Sequence, residues 1–281
     1  MRTIIFPTDF SDCALNALCC AMQYFKYERT EFILLHTYAE EVYANDSLMS
    51  RELLEDFKQI KKKEAEQGLQ RVFQDARKME PNPRHQFSQH ARFGLLLDEV
   101  NDLVNALNAD LIVMGTQGKT ASKTITYGSN TLQVMKYVKC PVLAVPASFT
   151  YHRPTHVLFP SDLMIPFKAR ELKLIACLAK SFRSTLHLLH LSKSKQLSIR
   201  QEDVKSQWEE SFRESKTEFV MVSEGDRAER INDYIEHHQI NLLVMVNFRH
   251  TYMESLLINS TIDQVGLNTQ IPFLVLQNLP R

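Results

Sequence analysis

A chain of 281 residues is about twice the usual single-domain length of roughly 100–200 residues, which predicts two domains of similar size. With 44% hydrophobic and 23% charged residues, the composition excludes a disordered or collagen-like chain. Lys and Arg total 33 against 33 Asp and Glu, so the basic surplus with which a non-specific nucleic-acid binder neutralises phosphates is missing.

Near the start, the apolar stretch Ile4-Ile5-Phe6 gives way to Pro7 and Asp9, too early for a signal-peptide core or a membrane span. No membrane or nucleic-acid partner is expected. Thr3–Phe6 is a predicted strand, and Cys13–Tyr24, with apolar residues three and four apart, a predicted helix. A strand over Phe32–Thr37 follows, then a helix over Arg51–Arg77 whose Leu53, Leu54, Phe57, Ile60, Leu69, Val72 and Phe73 form an apolar face. Its Lys61-Lys62-Lys63 run reads as a solvated face rather than a binding patch. Further strands are expected at His85–Ala91, Leu111–Met114 and Val142–Val145, with helices at Leu95–Leu107 and Ser129–Val138 between them. Strand–helix alternation with near-continuous apolar strands implies a parallel sheet covered on both faces.

The same order then repeats. Ile4-Ile5-Phe6-Pro7-Thr8-Asp9 recurs as Val157-Leu158-Phe159-Pro160-Ser161-Asp162, and Phe32-Ile33-Leu34-Leu35-His36 as Leu186-His187-Leu188-Leu189-His190. Leu111-Ile112-Val113-Met114 returns as Leu242-Leu243-Val244-Met245, and Pro141-Val142-Leu143 as Pro272-Phe273-Leu274. The extra length of the first half falls in its charged segment, from about residue 41 to 80. These matches divide the chain into domains at 1–146 and 156–281, with a linker over 147–155 bracketed by Pro146 and Pro154.

Five cysteines, Cys13, Cys19, Cys20, Cys140 and Cys177, have no metal-ligand spacing and mostly adjoin apolar stretches, which fits buried thiols in a reducing cytoplasm. Only seven glycines occur where average usage of about 7% would give about twenty, yet Gly115, Gly118 and Gly128 cluster. They follow a strand and open a helix, the arrangement in which backbone amides at a helix N-terminus take a phosphate. Ser129 adds a hydroxyl and is the expected helix cap; the plainer alternative is that these are turn glycines and Ser129 only a cap. Gly118-Lys119-Thr120 imitates the end of a Walker A loop, but the first glycine of that motif would fall at Val113, inside a strand. Lys119 and Lys123 are candidates to reach a terminal phosphate, or ordinary exposed loop lysines.

The Pro7-Thr8-Asp9-Phe10-Ser11 opening, the His36-Thr37 strand end, Leu111–Gly115, and the glycine loop running to Cys140-Pro141-Val142-Leu143 closely resemble the universal stress protein family, over both halves. The resemblance implies two tandem Rossmann-like (adenine nucleotide alpha hydrolase-like) domains, each a five-stranded parallel sheet with helices on both faces. It implies an intramolecular pseudo-dimer in which the last strands of the two domains pair, and allows a homodimer. It also implies ATP, with magnesium, as ligand. Pro7, Asp9 and Thr37 would surround adenine and ribose, Met114 and Gly115 the ribose and first phosphate, and Gly118, Gly128 and Ser129 the triphosphate. Asn130 stands where the family usually has an apolar or small residue.

The second half lacks the loop glycines, reading Val246-Asn247-Phe248-Arg249 and later Asn259-Ser260, so it is expected to bind no ATP in the family manner, although Asp162 and Ser260 persist. Val246 replaces a loop glycine with a β-branched residue, which disfavours positive φ. The sequence therefore reads as a nucleotide-responsive stress protein with no evident general base. Two alternatives differ in class: a slow ATPase or autophosphorylating enzyme with Ser129, Thr116 or Thr120 as acceptor, and a nucleotide-free dimerisation scaffold. His36 and His190 end equivalent strands and read as satisfied, partly buried histidines; His237-His238 and His85/His90 have no consistent zinc spacing.

Overall fold

A computed structural model describes residues 1–44, 50–117, 128–192, 194, 196–223, 225–247 and 270–277. Contacts divide the chain into a first unit ending at Ala147 and a second beginning at Ser148. The first runs β1 (Arg2–Pro7), α1 (Asp12–Tyr24), β2 (Thr30–Thr37), α2 (Ala39–Tyr43), α3 (Arg51–Met79), β3 (His85–Arg92), α4 (Leu96–Leu107), β4 (Leu111–Gly115), α5 (Ser129–Tyr137) and β5 (Val142–Val145). Its strands are parallel in the order β3-β2-β1-β4-β5. α1 and α3 pack on one another, as do α4 and α5, and the two pairs cover the sheet.

That coverage explains the apolar runs. Ile4, Ile5 and Phe6, Phe32–Leu35, Leu111–Val113 and Val142–Val145 are all buried, so none of these strands has a wet face to alternate toward. β3, at the edge, is the exception: its His-Gln-Phe-Ser-Gln-His-Ala-Arg sequence is half-buried at most after His85.

The second unit repeats the design with β6 (His156–Pro160), α6 (Ala169–Phe182), β7 (Thr185–Ser192), α7 (Ile199–Ser211), β8 (Lys216–Ser223), α8 (Arg227–His237), β9 (Leu242–Asn247) and β10 (Phe273–Gln277). Its parallel order is β8-β7-β6-β9-β10, the same path through the sheet. The repeat extends to single hydrogen bonds. Asp110 accepts from the Thr3 amide at 3.0 Å, and at the matching place Asn241 accepts from the amides of Thr155 and His156, each at 3.0 Å.

The extra length of the first half resolves into two features. One is α2, a helix too short to show a period in sequence; the other is α3, with 29 residues against 13 in α7. The first part of α3 sends Leu54 and Phe57 onto a cluster with Tyr38, Val42 and Ala65, and the second buries Leu69, Val72 and Ala76. Leu53 and Ile60 depart from the expected apolar face, being 59% and 52% exposed. All five cysteines are free thiols, with Cys20 and Cys140 buried and the others half-buried. Among the described residues no helix is long and apolar enough to cross a membrane.

Candidate functional site

In the order β3-β2-β1-β4-β5 the chain reverses direction across the sheet between β1 and β4, and ligands of open parallel sheets bind outside the carboxyl ends of the strands at such a point. Pro7 ends β1, Asp9 lies in the connection after it, Thr37 ends β2, and Met114 and Gly115 end β4. Gly128, Ser129 and Asn130 open α5, and Gly128 is tied to the end of β4 because its amide donates to the Thr116 carbonyl at 2.7 Å. Thr131, one turn in and buried, donates its hydroxyl to the Gly115 carbonyl at 2.9 Å. The fold thus brings eight of the nine expected residues to one end of the first unit; Gly118, with Lys119, Thr120 and Lys123, lies outside the described residues.

α5 begins differently from expectation. Gly128, at φ −65° and ψ 155°, holds the cap position, and Ser129 is the first helical residue rather than the cap. α1, α3, α7 and α8 are capped by the side chains of Ser11, Ser50, Ser198 and Asp226, whereas α5, like α2, α4 and α6, has no side-chain cap. The first amides of any helix lack intrahelical acceptors. Those of Ser129, Asn130 and Thr131 find no acceptor among the described residues, and Ser129 and Asn130 are exposed. Among the described residues nothing occupies this helix end, and its donor set suits a phosphate.

The glycines serve space rather than handedness. Among the described residues no glycine takes positive φ. A Cβ on Gly115 would sit 2.7 Å from Cys13 Sγ and 3.1 Å from the Cys13 carbonyl carbon, so glycine there lets the first turn of α1 press against the end of β4. The reason expected for Val246 needs the same correction. Val246 simply continues strand β9, and the second unit has a longer link, residues 161–168, between β6 and α6 where the first has residues 8–11. Phe248, Arg249, Asn259 and Ser260 lie outside the described residues.

The β1–α1 turn is a module that both units build. Thr8 accepts from the Phe10 amide at 3.0 Å, and Asp9 Oδ1 from the Ser11 amide at 3.1 Å and hydroxyl at 2.6 Å. In the second unit Ser161 accepts from the Leu163 amide at 3.0 Å and Asp162 from the Met164 amide at 2.9 Å. Phe10 and Leu163 both take the left-handed backbone, at φ 63° and 58°. His36 Nδ1 donates to the Thr8 carbonyl at 2.7 Å, and His190 Nδ1 to the Ser161 carbonyl at 3.0 Å. Both histidines are buried and satisfied, as expected. Phe10 stacks on His36 with centroids 4.3 Å apart, and its ring fills the space that Gly68 of α3 leaves by lacking a Cβ. Sequence reading missed Phe10, Ser11, Gly68 and Thr131; the recurrence of the Thr/Ser-Asp pair with a matched histidine was the available signal for the turn.

In the first unit the His36 Nε2 also lies 3.6 Å from Glu41 of α2, whose other oxygen is 3.5 Å from Lys61 of α3. Glu64, then Glu41, hold the Lys61 ammonium above its ordinary range. The inserted helices are thereby fastened to the β1–α1 turn.

An α/β protein of two tandem Rossmann-like domains, each with a switch point in its strand order, is the class this fold defines. The sequence profile of the universal stress protein family matches residues 1–146 and again 156–277, and the chain belongs to that family. Universal stress protein MJ0531 of Methanocaldococcus jannaschii is 31% identical over 144 residues, covering 51% of this chain and 81% of that protein. Universal stress protein MJ0577 of the same organism is 27% identical over 152 residues, 51% of this chain and 94% of that one. The crystal structure of a universal stress protein from Archaeoglobus fulgidus shares the fold, with a TM-score of 0.71 at 19% identity over 98% of this chain and 96% of that chain.

Proposed function

We propose that the first unit binds ATP and that the chain acts as a nucleotide-responsive regulatory or sensing module. The observation that carries this reading is the uncapped amino end of α5, set beside Gly115 and the β1–α1 turn at the switch point. Ser129 and the first amides of α5, with Gly118 and Gly128, would hold the phosphates; Asp9, Thr37 and Pro7 would hold ribose and adenine, and Met114 would line the ribose. Bound ATP would supply a polyanion whose γ-phosphate distinguishes it from ADP. Among the described residues no group of three or more His, Cys, Asp or Glu side chains can hold a metal, so magnesium would ride on the phosphate oxygens. Association of the two domains as a pseudo-dimer, homodimer formation and a cytoplasmic setting, which suits five free thiols, belong to this reading through the family likeness.

The enzymatic alternative is narrowed by burial. Of its three candidate phosphate acceptors, Thr116 is 3% exposed, Thr120 lies outside the described residues, and Ser129 is exposed. Turnover of radiolabelled ATP separates that alternative, and lack of any binding would favour the scaffold.

The matched turns provide an internal control. Asp9→Ala and Asp162→Ala damage equivalent turns, so a difference between them reports ligand rather than fold. Asp9→Ala should weaken ATP binding by about 10-fold or more, one hydrogen bond to a charged group, and Asp162→Ala should leave it unchanged. Equal effects, measured by titration calorimetry on the full chain, would refute the assignment.

A further inference from the structure

The second unit carries a titratable cluster that nucleotide binding does not use. At the amino ends of its strands, His187 of β7 is buried between His156 of β6, Glu218 of β8 and Tyr234 of α8. Its Nε2 is 3.1 Å from His156 Nδ1, and its Nδ1 is 3.1 Å from the Tyr234 hydroxyl and 3.4 Å from Glu218 Oε2. His238, just past α8, stacks on the Tyr234 ring at 4.0 Å and lies 6.1 Å from His187. Lys216 holds the other oxygen of Glu218 at 2.6 Å.

These contacts favour one arrangement of protons. Glu218 is kept ionised, below its ordinary range, chiefly by the hydrogen bond from Lys216, and as a carboxylate it can only accept. The arrangement in which His187 Nδ1–H faces the Glu218 carboxylate leaves Nε2 bare to accept from His156 Nδ1–H. His187 is neutral in this arrangement. A proton added to His187 Nε2 would set two N–H groups head to head across 3.1 Å unless His156 changed tautomer, and a second proton would find no acceptor.

We propose that this cluster is a proton-sensitive lock, which holds α8 against β6, β7 and β8 while its imidazoles are neutral and releases α8 in mild acid. Burial holds His187 below the ordinary histidine range; Glu218 opposes that, and His156, His238 and Lys216 add to it. With α8 released and its burial relieved, His187 therefore takes up a proton more readily than with α8 in place. The stability that the neutral ring confers is present above about pH 6.5, the unperturbed histidine value, and is lost as pH falls below it toward the folded-state value. The first unit has no counterpart. β1 and β2 pair Ile5 with Ile33 where β6 and β7 pair Leu158 with His187.

Hydrogen exchange of the full chain, corrected for intrinsic rates and read at Arg227–His237, tests the lock. Protection of α8 should fall several-fold relative to α6 between pH 7.5 and 5.5. His187→Ile, which installs the residue of the first unit, should abolish that fall. Glu218→Gln, which removes the anion that favours the cation, should deepen it. Protection of α8 independent of pH in the unaltered chain, or a His187→Ile variant responding like it, would overturn the proposal. Should that variant fail to fold, the unaltered chain and Glu218→Gln decide the matter between them, an unchanged or shallower fall in the latter counting against the lock.

Discussion

Replacing Ser129 with proline should weaken ATP binding by about two orders of magnitude and leave the chain folded. Ser129 is the first residue of α5, the one helical position where proline's missing amide and fixed φ cost nothing. The preceding Gly128 already has the extended backbone, φ −65° and ψ 155°, that a residue before proline prefers. The substitution therefore removes two anion donors, one amide and one hydroxyl, without disturbing the helix. At roughly 1.5–3 kcal/mol for each bond to a charged group, the loss is at least about 100-fold in affinity. Unchanged affinity in a folded Ser129→Pro protein would show that phosphate does not sit on α5.

Gly115→Val should destabilise the first unit by about 1–3 kcal/mol, the range for forcing methyl groups into a packed site. The new Cβ meets a short, unyielding neighbour: Cys13 Sγ at 2.7 Å, with the Cys13 carbonyl carbon and oxygen at 3.1 and 3.2 Å. Adding Cys13→Ala removes the sulfur contact and leaves the backbone ones, so it should restore part of the loss. Calorimetric transitions of the single and double variants check this. A Gly115→Val chain as stable as the parent would mean that α1 does not press on β4 as described.

The sheet was legible because its strands are buried on both faces, and a short run such as Ile112-Val113-Met114, bounded by turn residues, suits a strand with no wet face. The repeat then supplied the architecture of the second half. α2 escaped because five residues carry no period, and Leu53 and Ile60 misled because α3 buries its face unevenly along its length. The site was half legible. Gly115 announced a close approach but not to what, since its neighbour Cys13 comes from a helix far away in sequence. Ser129 looked like a cap because serine after glycine at a helix start usually is one; only the backbone angles of Gly128 show that the cap position had already passed. The histidine cluster was invisible for a different reason. His156, Glu218, Tyr234 and His238 surround His187 from three other elements, and no local spacing encodes a meeting of that kind.

The claim that one half of this chain holds nucleotide is tested most directly by titrating the full-length protein with ATP and reading the stoichiometry. Several amides must face one phosphate group for such a site to bind, and Val246 sits where the first unit has Gly115, with Arg249 and Asn259 in place of the other two glycines. Calorimetry should give one molecule of ATP per chain, lost in Ser129→Pro and kept in Asp162→Ala. Two equivalent sites per chain, or no binding at all, would contradict the account.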